Sequence, residues 1–94
     1  MPKIPVFGCA ELETALSILG FIIDKTRGKG GHVIAKHPTR KPVGGQAPYI
    51  TIRGLKEYAD IGFRLMIVNQ IIRFGFTREE IIKALSGRGK RNKI

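Results

Sequence analysis

The chain has 94 residues, enough for one domain, and a chain of that size buries only about 60 to 65 per cent of its unfolded surface. Seventeen lysines and arginines against seven acids give a formal charge of +10, which points to a polyanionic partner, nucleic acid first and a membrane surface second. The apolar run from Leu16 to Ile23 contains Ser17 and Gly20 and falls far short of the roughly 20 residues a spanning helix needs, so a membrane protein is disfavoured.

The first eight residues carry Pro2, Pro5 and Gly8, which suit an extended lead-in and lack the charged and apolar pattern of a signal segment. Cys9 is the sole cysteine and has no partner for an internal disulfide; a cytoplasmic location follows as an expectation. With only two histidines beside it, a structural zinc site is not expected, nor any other cofactor. A helix is predicted from Ala10 to Leu19. Leu12, Ala15, Leu16 and Leu19 recur at helical spacing, Glu11 and Glu13 sit in the first turn, and Gly20 ends it. Phe21 to Thr26 and His32 to His37 read as the two strands of a hairpin around a turn at Arg27 to Gly31. Pro38 to Pro48, with three prolines and the Gly44-Gly45 pair, reads as a loop. Tyr49 to Arg53 alternates with period two, which turns Ile50 and Ile52 toward the core of a third strand.

The next helix is predicted over Phe63 to Phe74, closed by Gly75, with more apolar residues than one face can bury on a small sheet. Part of the remaining cover is expected from a short last helix. Thr77 and Glu80 form a capping box, Phe76 and Ile81 a hydrophobic staple, and Gly87 stops it. The exposed remainder of the apolar helix suggests a protein partner or self-association. The tail from Arg88 to Ile94 is cationic and poor in apolar residues. The expected fold is α+β, with two helices on one face of a three-stranded antiparallel sheet and the other face open.

The chemistry concentrates in the stretch GKGGHVIAKHP, residues 28 to 38. Imidazole has an ordinary pKa of about 6.5 and serves as acid or base near neutral pH, so His32 beside a cationic glycine turn suits proton transfer at a ribose-phosphate. Gly28, Gly30 and Gly31 allow close approach of an anion to peptide N–H groups, and Arg27, Lys29 and Lys36 supply charge. A histidine beside two glycines equally suits a solvated hairpin position. His37 lies an odd number of residues from His32, so on a regular strand it faces the opposite side, whereas Lys36 shares the face of His32. His37 therefore reads as a strand-end residue bonded to backbone. Neither a Walker A loop nor a dinucleotide fingerprint is present, because no Gly-Lys-Ser/Thr follows and Val33 stands where the third glycine is needed.

Four segments together, ELETALSILGF (11 to 21), GKGGHVIAKHP, YITI (49 to 52) and IIRFGFTREEIIKAL (71 to 85), resemble the HicA family of toxin ribonucleases over roughly residues 10 to 86. The resemblance implies a double-stranded-RNA-binding-like (dsRBD-like) fold, metal-independent cleavage of messenger RNA, and neutralisation by a HicB-type antitoxin. It assigns His32 as the catalytic residue, with Gly30 matching the family's glycine and His37-Pro38 its His-Pro. Gly31 stands where the family has serine. Read without the catalytic step, the same layout is that of a double-stranded RNA-binding module that contacts phosphates and 2′-hydroxyls.

Overall fold

The computed structural model describes residues 4–25 and 33–86. Helix α1 (Cys9–Ile18) leads into strands β1 (Ile22–Asp24), β2 (Val33–Lys36) and β3 (Ile50–Ile52), followed by helices α2 (Ile61–Ile72) and α3 (Arg78–Leu85). The strands form one antiparallel sheet in the order β1-β2-β3. The expected α+β arrangement of helix, three-stranded sheet, helix and short helix is therefore present.

Local chemistry fixes the helix ends. The Glu11 carboxylate accepts the Gly8 N–H at 3.0 Å at the start of α1, and Gly20 leaves the helix with φ +97°. Asp60 caps α2 by accepting the Phe63 N–H at 3.1 Å, so this helix begins two residues before its apolar pattern does. The expected capping box opens α3. Thr77 Oγ1 accepts the Glu80 N–H at 3.1 Å, and the Glu80 carboxylate accepts the Thr77 N–H at 2.8 Å. The staple pair Phe76 and Ile81 is buried.

Alternation divides the sheet into two faces. On the helix side Ile23, Ala35 and Ile50 lie across from one another, with Val33 opposite Ile52; Ala35, Ile50 and Ile52 are fully or almost fully buried. Leu12 and Leu16 of α1, Ile67, Val68 and Ile71 of α2, and Ile81 and Leu85 of α3 complete that core. Each such side chain contributes about 1.5 to 3 kcal/mol by leaving water. The other face carries Ile22 opposite Lys36, and Asp24, Ile34 and Thr51 in a row.

Two irregular segments close the molecule. Residues 7 to 9 run beside 55 to 58: the Cys9 N–H donates to the Leu55 carbonyl and the Tyr58 N–H to the Phe7 carbonyl, both at 2.8 Å. Gly8 is pressed so closely into this pairing that a Cβ would stand 1.8 Å from the Lys56 carbonyl oxygen. The proline-rich loop caps the end of α2. The Val43 N–H donates to the Arg73 carbonyl, the Gln46 amide to that of Gln70, and the Arg40 guanidinium to those of Phe74 and Gly75. The loop thus bonds one carbonyl of the last turn of α2 and those of the residues just past it, while the following backbone N–H groups take the carbonyls of Asn69, Ile71 and Ile72. Among the described residues no helix is long and apolar enough to cross a membrane.

Candidate functional site

Of the residues singled out for chemistry, Lys36 lies within the described part of the chain; Arg27, Lys29, Gly30, Gly31 and His32 lie outside it, as do Gly87 and the tail 88–94. Lys36 closes β2, is exposed, and pairs across the sheet with Ile22, which is 60% exposed. Both belong to the face that no helix covers. Lys25, one position past β1 and on the parity of Phe21 and Ile23, reaches back to α1, with its ammonium 3.4 Å from the Glu13 carboxylate.

His37 is bonded to backbone, as its place at the end of the strand predicts. Its Nδ1 accepts the backbone N–H groups of Thr39 at 3.2 Å and Arg40 at 3.1 Å, so the proton sits on Nε2, which donates to the Leu19 carbonyl at 3.3 Å. The ring stands edge-on to Phe21, with centroids 5.0 Å apart, and leans on Phe76 at 5.8 Å. Arg40 lies over the other partner of that cluster, 4.3 Å from the Phe76 centroid. Both imidazole nitrogens are engaged, and the ring ties the end of α1 to the end of β2 and to the turn before α3. Such a histidine organises structure and has no free nitrogen to offer a substrate.

The acids are largely occupied as well. Glu11, Asp60 and Glu80 bond backbone N–H groups at helix starts, and Glu13 pairs with Lys25. Lys36, Lys41, Arg53 and Lys56 are exposed. These cations are presented outward, while Glu11, Glu13, Asp60 and Glu80 are held in caps or with Lys25, and Asp24 shares the face of Lys36. Among the described residues no three His, Cys, Asp or Glu side chains are grouped so as to hold a metal ion.

A second feature of this surface was not read from the sequence. Tyr49, Thr51 and Arg53, on the outward parity of β3, face Phe63, Met66 and Gln70, which follow one stripe of α2, across an open groove of about 310 Å³. The Arg53 guanidinium lies 5.6 Å from the Phe63 ring centroid. Tyr58 fastens both walls. Its hydroxyl donates to the Arg53 carbonyl at 2.5 Å, and its ring meets Phe63 edge-on with centroids 5.0 Å apart. Burial pushes the Tyr58 hydroxyl pKa up to about 12, the nearby Cys9 thiol adding in the same direction and the positive charge of Arg53 opposing it. Arg64, buried at the start of α2, donates to the Tyr58 carbonyl at 2.6 Å and the Ala59 carbonyl at 3.0 Å, which fixes the turn into the helix. The sequence signal for the groove is the alternation of Tyr49, Thr51 and Arg53, which gives one wall; the facing wall depends on how α2 packs.

No family model, curated protein or solved structure matches this chain.

Proposed function

We propose that the protein is a metal-independent endoribonuclease of the HicA toxin type, acting on messenger RNA in the cytoplasm and neutralised by a HicB-type antitoxin. The observation that carries this reading is the uncovered face of the sheet: Lys36 is exposed on it, Asp24 is the acid the strands place there, and Glu11 and Glu13 of α1 are engaged in the helix cap and with Lys25. A chain of charge +10 with such a face suits a phosphate backbone.

In the mechanism proposed, the ribose 2′-hydroxyl attacks the adjacent phosphorus. The bond to the 5′-oxygen of the next nucleotide breaks, leaving a 2′,3′-cyclic phosphate and a free 5′-hydroxyl. His32 transfers the proton, taking it from the 2′-hydroxyl or giving it to the leaving oxygen. Lys36, with Arg27, Lys29 and the peptide N–H groups of Gly30 and Gly31, binds the phosphate as its negative charge grows. His37 is left out of the chemistry because both its nitrogens are bonded within the fold. The direct test incubates RNA with the protein in EDTA, beside His32→Ala. Cleavage by the parent is expected to fall by about 10² to 10⁴-fold in the variant. Equal cleavage by both removes His32 from the mechanism.

Gly31, in the position of the family's serine, favours a second reading, an RNA-binding module without catalysis. RNA then shifts on a gel, stays intact, and is bound equally by His32→Ala.

A further inference from the structure

We infer that the groove between β3 and α2 holds the base of an unpaired nucleotide, so that this protein engages single-stranded RNA beside the uncovered sheet face. The inference rests on the RNA reading above and extends it to the form of RNA bound.

Base recognition needs a flat, partly apolar slot with a cation near its mouth and a few hydrogen-bonding groups at its edge. Each of these is present. Tyr49 and Phe63 supply rings, Met66 an exposed thioether side chain, and Thr51 and Gln70 donors and acceptors. The Arg53 guanidinium, set over the Phe63 ring, offers a second planar cationic surface on which a base can stack. At about 310 Å³ the groove lies at the small end of ligand sites, which suits one ring system better than a peptide.

The groove is also held in shape. Tyr58 bonds the backbone of Arg53 on one wall and packs against the ring of Phe63 on the other, and Gln46 ties the preceding loop to the backbone of Gln70. A slot fixed in this way loses little freedom when a base enters it. No acidic residue lines it, and the nearest charge is Arg53, so an anionic strand approaches without repulsion. A fully paired duplex presents no base face to such a slot, which sets the preference for an unpaired strand. An acidic peptide would share the charge preference but has no use for the stacked guanidinium plane, and a second copy of the chain, itself carrying +10, meets like charge.

The test measures anisotropy of a labelled RNA heptamer in EDTA, with the full chain carrying His32→Ala so that the strand stays intact. Matched strands each lack one base, at successive positions. Removal of the base at one or two positions is expected to weaken binding about tenfold, in the range of base stacking on a side chain. Arg53→Lys keeps the charge and loses the plane. It is expected to weaken binding of the intact strand about tenfold and to abolish the penalty for the missing base. Met66→Gln, at an exposed position, is expected to act in the same direction while circular dichroism stays unchanged. If the intact strand binds but every abasic strand binds equally well, the groove holds no base, and the RNA reading survives without it. If no RNA binds at all, the RNA reading fails and this inference with it. If Met66→Gln instead converts a dimer to a monomer in sedimentation while RNA affinity is unmoved, the groove is a subunit contact and the inference is overturned.

Discussion

A single methyl group at Gly8 decides whether the lead-in can close on the segment before α2. Its backbone is extended and any residue could adopt it, but a Cβ there would stand 1.8 Å from the Lys56 carbonyl oxygen, and that neighbour is backbone. Gly8→Ala is expected to lower stability by about 3 kcal/mol or more, at or beyond the top of the usual overpacking cost, read as a fall in the urea midpoint. Tyr58 makes a different demand. Its pKa, raised to about 12 in the folded chain against about 10 when unfolded, means that the native state keeps a proton which the unfolded state releases. The stability this supplies is complete below pH 10 and is lost as pH rises from about 10 through 12. Absorbance at 295 nm should show one tyrosine ionising close to pH 12, and Tyr58→Phe should remove that step. That His37 is a strand-end residue bonded to backbone was legible in its place just before Pro38. The roles of Gly8 and Tyr58 were not, because Gly8 meets a backbone group almost fifty residues away and neither residue belongs to a local repeat.

At the scale of elements, the helices were the readable part. Apolar spacing and capping chemistry are local, so Thr77 with Glu80 located the start of α3 to the residue. Thr77→Ala should cost about 1 kcal/mol in thermal or urea unfolding, since it leaves the Glu80 N–H without its cap. Strand β3 runs shorter than its sequence suggests, because its pairing partners end before composition does: it pairs at Ile50, Thr51 and Ile52, not at Tyr49 or Arg53. The proline-rich loop hid its function. Composition identifies a loop, yet it gives no sign that Arg40, Val43 and Gln46 bond carbonyls at the end of α2 and in the turn after it. Arg40→Ala removes two carbonyl partners and the stacking over Phe76, and is expected to destabilise the fold by about 1 to 3 kcal/mol.

Across the whole molecule, charge and architecture point the same way. Helices collect on one side of the sheet, acids cap their starts, and Lys36 is exposed on the side left open. That one-sidedness followed from the alternation of Ile50 and Ile52 and from the apolar excess of α2. The groove did not, since it depends on α2 lying beside β3, a packing choice that no single segment encodes. If the open face binds a phosphate backbone, log affinity for a single strand should fall linearly with log salt, by about 0.7 for each phosphate neutralised. Lys36→Gln should reduce that slope by less than one unit and leave the helix content unchanged.

The most direct measurement compares two labelled oligonucleotides of one sequence, an all-ribose strand and its 2′-deoxy counterpart, incubated with the full chain in EDTA, with the ends of the products identified. The account expects the ribose strand to be cut, leaving 2′,3′-cyclic phosphate and 5′-hydroxyl ends, and the deoxy strand to stay whole. Equal cutting of both strands, or an intact ribose strand that is nonetheless bound, would contradict it.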